Sequence, residues 1–131
     1  IVERISEQVQ NIPPNVRVLY VPVGSGVTLA GVLEGRRKYG GDYAIVGLQP
    51  FGYDRVGTVT GICEGMQFEY DYEFRKGNYP YAKLHPRNVG SIELDMIYES
   101  KAFDMVDWKK DNTECYWIIG NTNKLRKGYN G

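Results

Sequence analysis

Two cysteines, one histidine, no excess charge of either sign and no apolar run of membrane-spanning length mark this 131-residue sequence, and each shortage excludes something. Cys63 and Cys115 lack the spacing of metal ligands, and Cys115 lies in an apolar run. They read as buried reduced thiols rather than as a disulfide, a metal site or a nucleophile. His85 stands between Leu84 and Pro86 with no partner at metal or triad spacing, so it reads as a surface or loop histidine. Sixteen Lys and Arg balance sixteen Asp and Glu, which removes the basic surface that nucleic acid or an anionic membrane would need. The amphipathic, charged N-terminus is unlike a signal peptide. A soluble cytoplasmic protein is the expectation, with neither membrane nor nucleic acid as partner.

Glycine is plentiful, and its placement carries the most information. Val16 to Val23 is an apolar run broken only by Arg17, as in a parallel strand covered on both faces, with Pro22 near its end. It enters Gly24-Ser25-Gly26 and then an apolar-periodic stretch from Val27 to about Tyr39 that reads as a helix closed by Gly40-Gly41. A strand, glycine turn and helix start in that order present free amides and a helix dipole to an anion. Ser25 and Thr28 add hydroxyls. A dinucleotide fingerprint is missing its third glycine, since Leu29 holds that position, and no Gly-Lys-Ser/Thr follows for a nucleoside triphosphate. The plain alternative is a tight strand-to-helix turn with no ligand.

The Gly-Ser-Gly-x-Thr-Leu-Ala-Gly turn resembles the cofactor-phosphate loop of the fold-type II pyridoxal-phosphate enzymes, the tryptophan synthase β superfamily. Leu94-Asp-Met-Ile-Tyr-Glu-Ser-Lys-Ala-Phe103 is similar to that superfamily's Leu-Asp-Pro-x-Tyr-x-x-Lys-Ala signature. Its Tyr98-Glu99 pair resembles the aminocyclopropanecarboxylate deaminase and D-cysteine desulfhydrase branch. Glu114 to Thr122 resembles a late strand followed by a His-Thr-Gly-Gly turn, with Gly120, Asn121 and Thr122 in place of the glycine pair.

The resemblance implies pyridoxal 5'-phosphate as cofactor, an amino-acid-like small substrate and a homo-oligomer. Gly24, Ser25, Gly26, Val27, Thr28 and Thr122 would line the cofactor site, Tyr98 would lie against its ring, and Glu99 would face its pyridine nitrogen. Tyr98 and Glu99 would then be the catalytic pair. Read without the resemblance, Tyr98 is a half-buried ring and Glu99 a helix-start acid favoured by the dipole. The superfamily's Schiff-base lysine lies well upstream of the glycine loop, and no lysine precedes Lys38 here. Lys101 belongs to the signature helix instead. Three readings stay open: part of a longer deaminase or lyase, a truncated non-catalytic relative that binds a phosphate ligand or a protein, and a chain whose missing N-terminal part comes from the same enzyme or another chain. A nucleotide-binding α/β module is a further class.

The expected architecture is one α/β domain over residues 1–131, a three-layer sandwich with a mainly parallel sheet that forms half of a fold-type II enzyme. Ile1 to Ile12 reads as a helix with Ile1, Ile5, Val9 and Ile12 on one stripe, ended by Pro13 and Pro14. Tyr43 to Leu48 reads as a strand parallel to the first, ending at Gln49 where the superfamily often has an acid, and Cys115 to Ile119 as a third parallel strand. From Phe51 to Pro86 periodicity fades, and Gly57 and Gly61 speak against the helix that the superfamily has there. Gln67 to Phe74 alternates polar and aromatic residues, as in an edge strand or hairpin. Tyr70, Tyr72, Tyr79 and Tyr81 could supply a substrate-facing ring or simply cover the core. A helix is expected from Ser100 to about Lys110, burying Ala102, Phe103, Met105 and Val106.

Overall fold

The computed structural model describes residues 2–52, 56–65, 71–109 and 111–118. The apolar stripe predicted at the N-terminus forms α1 (Val2–Gln8) and a 3-10 turn (Val9–Asn11). The chain continues through β1 (Val18–Pro22), α2 (Val27–Tyr39), β2 (Ala44–Gln49), α3 (Val56–Gly65) and β3 (Glu73–Lys76). A hairpin of β4 (Asn88–Val89) and β5 (Ile92–Glu93), then α4 (Glu99–Phe103) and β6 (Glu114–Tyr116), complete the described elements.

The main sheet has the order β3-β2-β1-β6 and is parallel throughout. Leu19 pairs with Ile45 on one side and with Cys115 on the other. Because side chains alternate along a strand, β1 and β2 feed two cores. Leu19, Val21, Val23 and Ile45 meet Leu29, Ala30, Val32 and Leu33 of α2 and Val59 and Cys63 of α3. On the opposite face, Tyr20, Val46 and Leu48 meet Ala102 and Val106. Helices thus cover both faces of a parallel sheet, which is the expected three-layer sandwich.

Two glycines set how closely the helices approach. A Cβ on Gly31 would lie 2.6 Å from Ile5, and one on Gly35 would lie 2.4 Å from Val9 Cγ2, so α1 packs directly on the α2 backbone. Gly40, at φ 77°, ends α2 and donates its amide to the Arg36 carbonyl at 2.8 Å, as the Gly40-Gly41 pair predicts.

Four expectations need correction. Residues 56–65 are helical despite Gly57 and Gly61, because Val59, Ile62 and Cys63 recur at helical spacing and pack on α2, and burial outweighs intrinsic propensity. The helix expected from Ser100 to Lys110 stops at Phe103, where the Asp104, Met105 and Val106 amides turn back onto Ser100, Ala102 and Phe103 carbonyls. The edge strand occupies Glu73–Lys76 rather than Gln67 to Phe74, and residues 66–70, Tyr70 among them, lie outside the described residues. Lys110 and Ile119, the expected ends of a helix and a strand, lie outside them too, and that third strand runs over Glu114–Tyr116 rather than Cys115 to Ile119, with Trp117 and Ile118 already past its end. The β4–β5 hairpin, turning at Gly90 with φ 60°, has no counterpart in the sequence reading.

Candidate functional site

The carboxyl ends of β1, β2 and β3 lie along one edge of the sheet, where parallel α/β folds place their ligands. Past β1, the Val23 amide still donates to the Leu48 carbonyl at 2.7 Å, and the chain then turns through Gly24, Ser25 and Gly26 into α2. Gly26 is the N-cap at φ 95°, a left-handed conformation suited to glycine. No side chain caps this helix in the usual way, and Ser25 Oγ approaches the Val27 amide only at 3.4 Å. Ser25 is exposed, and Val27 and Thr28 are half-buried. First-turn amides with so little side-chain capping at a 13-residue helix suit an anion.

Tyr98 brings the second motif to this turn. A Cβ on Gly24 would lie 3.2 Å from two carbons of the Tyr98 ring, so the phenol flanks the glycine backbone itself. The Tyr98 ring also packs edge-on against Phe51, which follows β2, with centroids 5.4 Å apart, and against Tyr81 at 6.0 Å. Phe51 and Tyr81 close the triangle at 5.1 Å. The Tyr98 and Tyr81 hydroxyls are 3.3 Å apart. Of the candidate tyrosines in the glycine-rich middle of the chain, Tyr81 stands beside Tyr98, Tyr72 packs on the helix-rich core, and Tyr79 meets His85 edge-on.

Asp95 fixes the Tyr98 backbone. Its Oδ2 accepts the Ile97 and Tyr98 amides at 3.2 and 2.7 Å, and its carbonyl accepts the Ser100 hydroxyl at 2.8 Å. The spacing of Asp95 to Tyr98 and Ser100 is that of an Asx turn leading into a helix, a signal readable in the sequence.

Glu99 is only 2 % exposed, which separates it from a solvated helix-start acid. Its carbonyl accepts the Tyr116 hydroxyl at 2.7 Å. Burial, helped by the Glu99 and Asp104 carboxylates, pushes the Tyr116 phenol far above its ordinary range. Gln49 is fully buried and donates to the Phe51 carbonyl at 2.8 Å, so an amide holds the aromatic wall where the superfamily often has an acid. His85 does have a partner, remote in sequence: its Nε2 lies 2.5 Å from Asp104 Oδ2, and Arg87 Nε reaches the other oxygen at 3.2 Å. This ties the hairpin segment to the end of α4. Thr122 lies outside the described residues.

With glycine turn, Tyr98 and buried Glu99 assembled on one chain, the fold can be compared with known ones. The chain superposes on a crystal structure of an ACC deaminase homologue with a TM-score of 0.66 and 24 % identity, covering 89 % of this chain and 43 % of that one. The fold is that of an ACC deaminase homologue. This chain spans less than half the length of that neighbour. The fold expected from the resemblance to fold-type II pyridoxal-phosphate enzymes is therefore the fold observed. No family model matches the sequence, and no curated protein matches it. No helix among the described residues is long and apolar enough to cross a membrane.

Proposed function

We propose that this chain is the pyridoxal-phosphate-binding part of an amino-acid deaminase or lyase of the ACC deaminase or D-cysteine desulfhydrase type. The observation that carries this reading is the contact of the Tyr98 ring with Gly24, which joins the two motifs of the resemblance at one sheet edge. The residues present suit the cofactor. The turn offers uncapped helix amides and the Ser25 and Thr28 side chains, Tyr98 offers an aromatic wall, and Glu99, the first residue of α4 after Tyr98, is buried. When bound, pyridoxal phosphate draws electrons from a substrate carbanion into its ring.

The chain's own groups divide the remaining tasks. Gly24, Ser25, Gly26, Val27 and Thr28 hold phosphate through amides and hydroxyls. Glu99, kept from water, favours a protonated pyridine nitrogen and so strengthens electron withdrawal. Tyr98 orients the ring and holds a phenolic proton for exchange with substrate. The lysine that carries the cofactor comes from sequence outside these residues, in the same enzyme or another chain. Without that lysine the chain has no turnover of its own.

Thermal unfolding in the presence of ligands separates this reading from its rivals. Pyridoxal phosphate should raise the midpoint at concentrations where ATP and NAD do not. Stabilisation by a nucleotide alone would assign the turn to a nucleotide-binding module.

A further inference from the structure

Lys101 lies beside the aromatic wall but has no task in the chemistry above. It is 1 % exposed, and its Nζ donates to the Pro80 and Tyr81 carbonyls at 2.8 and 3.1 Å. The same ammonium stands 5.0 Å from the centroid of the Phe51 ring. Burial lowers its proton affinity below that of an ordinary lysine. An apolar side chain of equal length would fill the space without that desolvation cost, so packing alone is a poor account of a lysine here.

The clasp holds one short segment. Before it, the chain is tied to the end of β2 by the Gly77 amide on the Gln49 carbonyl at 2.7 Å and by the Tyr79 amide on the Pro50 carbonyl at 2.9 Å. After it comes the His85 amide on the Met96 carbonyl, also at 2.9 Å. Tyr81 lies between these ties with 53 % of its surface exposed, yet its hydroxyl meets that of Tyr98. Its ring rests on Phe51 and Tyr98, and a fixed backbone lowers the entropy cost of holding a half-solvated ring there.

We propose that Lys101 is a positioning residue whose ammonium fixes the Pro80–Tyr81 backbone and thereby holds the Tyr81 hydroxyl against that of Tyr98. The phenolic proton of Tyr98 is then shared with a partner placed from behind the site. The functional consequence rests on the reading of Tyr98 as a cofactor-facing residue; the positional claim does not.

The test is nuclear magnetic resonance on the full chain with labelled tyrosine and lysine, without cofactor. Lys101→Met keeps length and apolarity but removes the donors, whereas Lys101→Arg keeps them. In Lys101→Met the Tyr81–Tyr98 ring cross-peaks should vanish and the Tyr98 titration midpoint should move, while the Tyr20–Trp108 cross-peaks on the sheet remain. Lys101→Arg should restore both. Unchanged Tyr81–Tyr98 cross-peaks in Lys101→Met overturn the proposal, and so does their disappearance together with the sheet cross-peaks, which would reduce Lys101 to a core residue. The unsubstituted chain supplies a second arm that needs no variant to fold. Its Lys101 ammonium protons should exchange slowly with water and show cross-peaks to Pro80 and Tyr81. Exchange as fast as that of the exposed Lys83 would also overturn the proposal. Because no arm contains pyridoxal phosphate, failure of the cofactor reading and failure of the clasp give different results.

Discussion

The ring of Tyr98 occupies the space that a side chain at position 24 would need, since a Cβ on Gly24 would stand 3.2 Å from both Cδ1 and Cε1 of the phenol. Glycine is favoured there by a tight contact, whereas two residues later Gly26 is favoured by its φ of 95°. The two substitutions should therefore fail differently. Gly26→Ala should cost about 1–2 kcal/mol in urea unfolding, the usual penalty of a left-handed non-glycine residue. Gly24→Ala should cost less stability but displace the Tyr98 ring, seen as lost contacts between Tyr98 and Phe51.

Asp95 should matter for the site through Tyr98 rather than through any ligand. Asp95→Ala leaves the Ile97 and Tyr98 amides without their acceptor and should cost about 1–2 kcal/mol. Asp95→Asn keeps a carbonyl oxygen and should recover most of that in the same unfolding measurement.

Glycine-to-alanine changes in two helices should have opposite signs. In α3, nothing among the described residues lies within 4 Å of a Cβ at Gly61, so Gly61→Ala should stabilise by up to about 1 kcal/mol through helix propensity. In α2, the same gain at Gly35 meets Val9 Cγ2 at 2.4 Å and the Ser6 carbonyl oxygen at 2.7 Å. Overpacking of that kind costs about 1–3 kcal/mol, and Gly35→Ala should lower the midpoint of unfolding.

Alkaline pH should weaken the fold in a defined window. Burial pushes the Cys63 thiol from 9.0 up to about 11, and burial with the Glu114 hydrogen bond pushes the Tyr20 phenol from 10.0 up to about 12. Both groups keep their protons longer in the folded state. Their stabilising contribution is complete below pH 9 and disappears as pH rises to about 12, because the unfolded chain ionises first. Thermal midpoints should stay level up to about pH 9 and then fall, and Cys63→Ala with Tyr20→Phe should make the fall shallower, leaving the part due to the buried Tyr116 phenol.

How much of this the sequence showed depends on how local each cause is. The run from Val18 through Gly26 into Val27 fixes strand, turn and helix by burial and backbone geometry within a few residues, and it was legible. The parallel pairing of β1 with β2, and a third parallel strand near Cys115, followed from apolar runs of strand length, whereas the place of β6 directly beside β1 did not. Helix α3 was hidden because three glycines dilute the Val59, Ile62 and Cys63 stripe, whose value comes only from packing on α2. The early end of α4 was hidden for the reverse reason, as Met105 and Val106 keep a helical spacing and are packed on the sheet from a turn instead. At the site, Tyr98 and Glu99 could be picked out by pattern. The clasp of Lys101 on Pro80 and Tyr81, and the bond of His85 to Asp104, join residues far apart in sequence and leave no local trace.

The central claim is that the glycine turn and Tyr98 form one cradle for the phosphate and ring of pyridoxal phosphate, and titration of the full chain followed residue by residue tests it most directly. With pyridoxal phosphate at up to millimolar concentration, about where a lone anion site saturates, the Ser25, Gly26, Val27 and Thr28 amides and the Tyr98 ring should shift together along one binding curve. Inorganic phosphate should move the same four amides and leave the Tyr98 ring in place. Amides of Ser25 to Thr28 that stay still with both ligands, or a cofactor that shifts other regions of the chain while sparing Tyr98, would contradict the account.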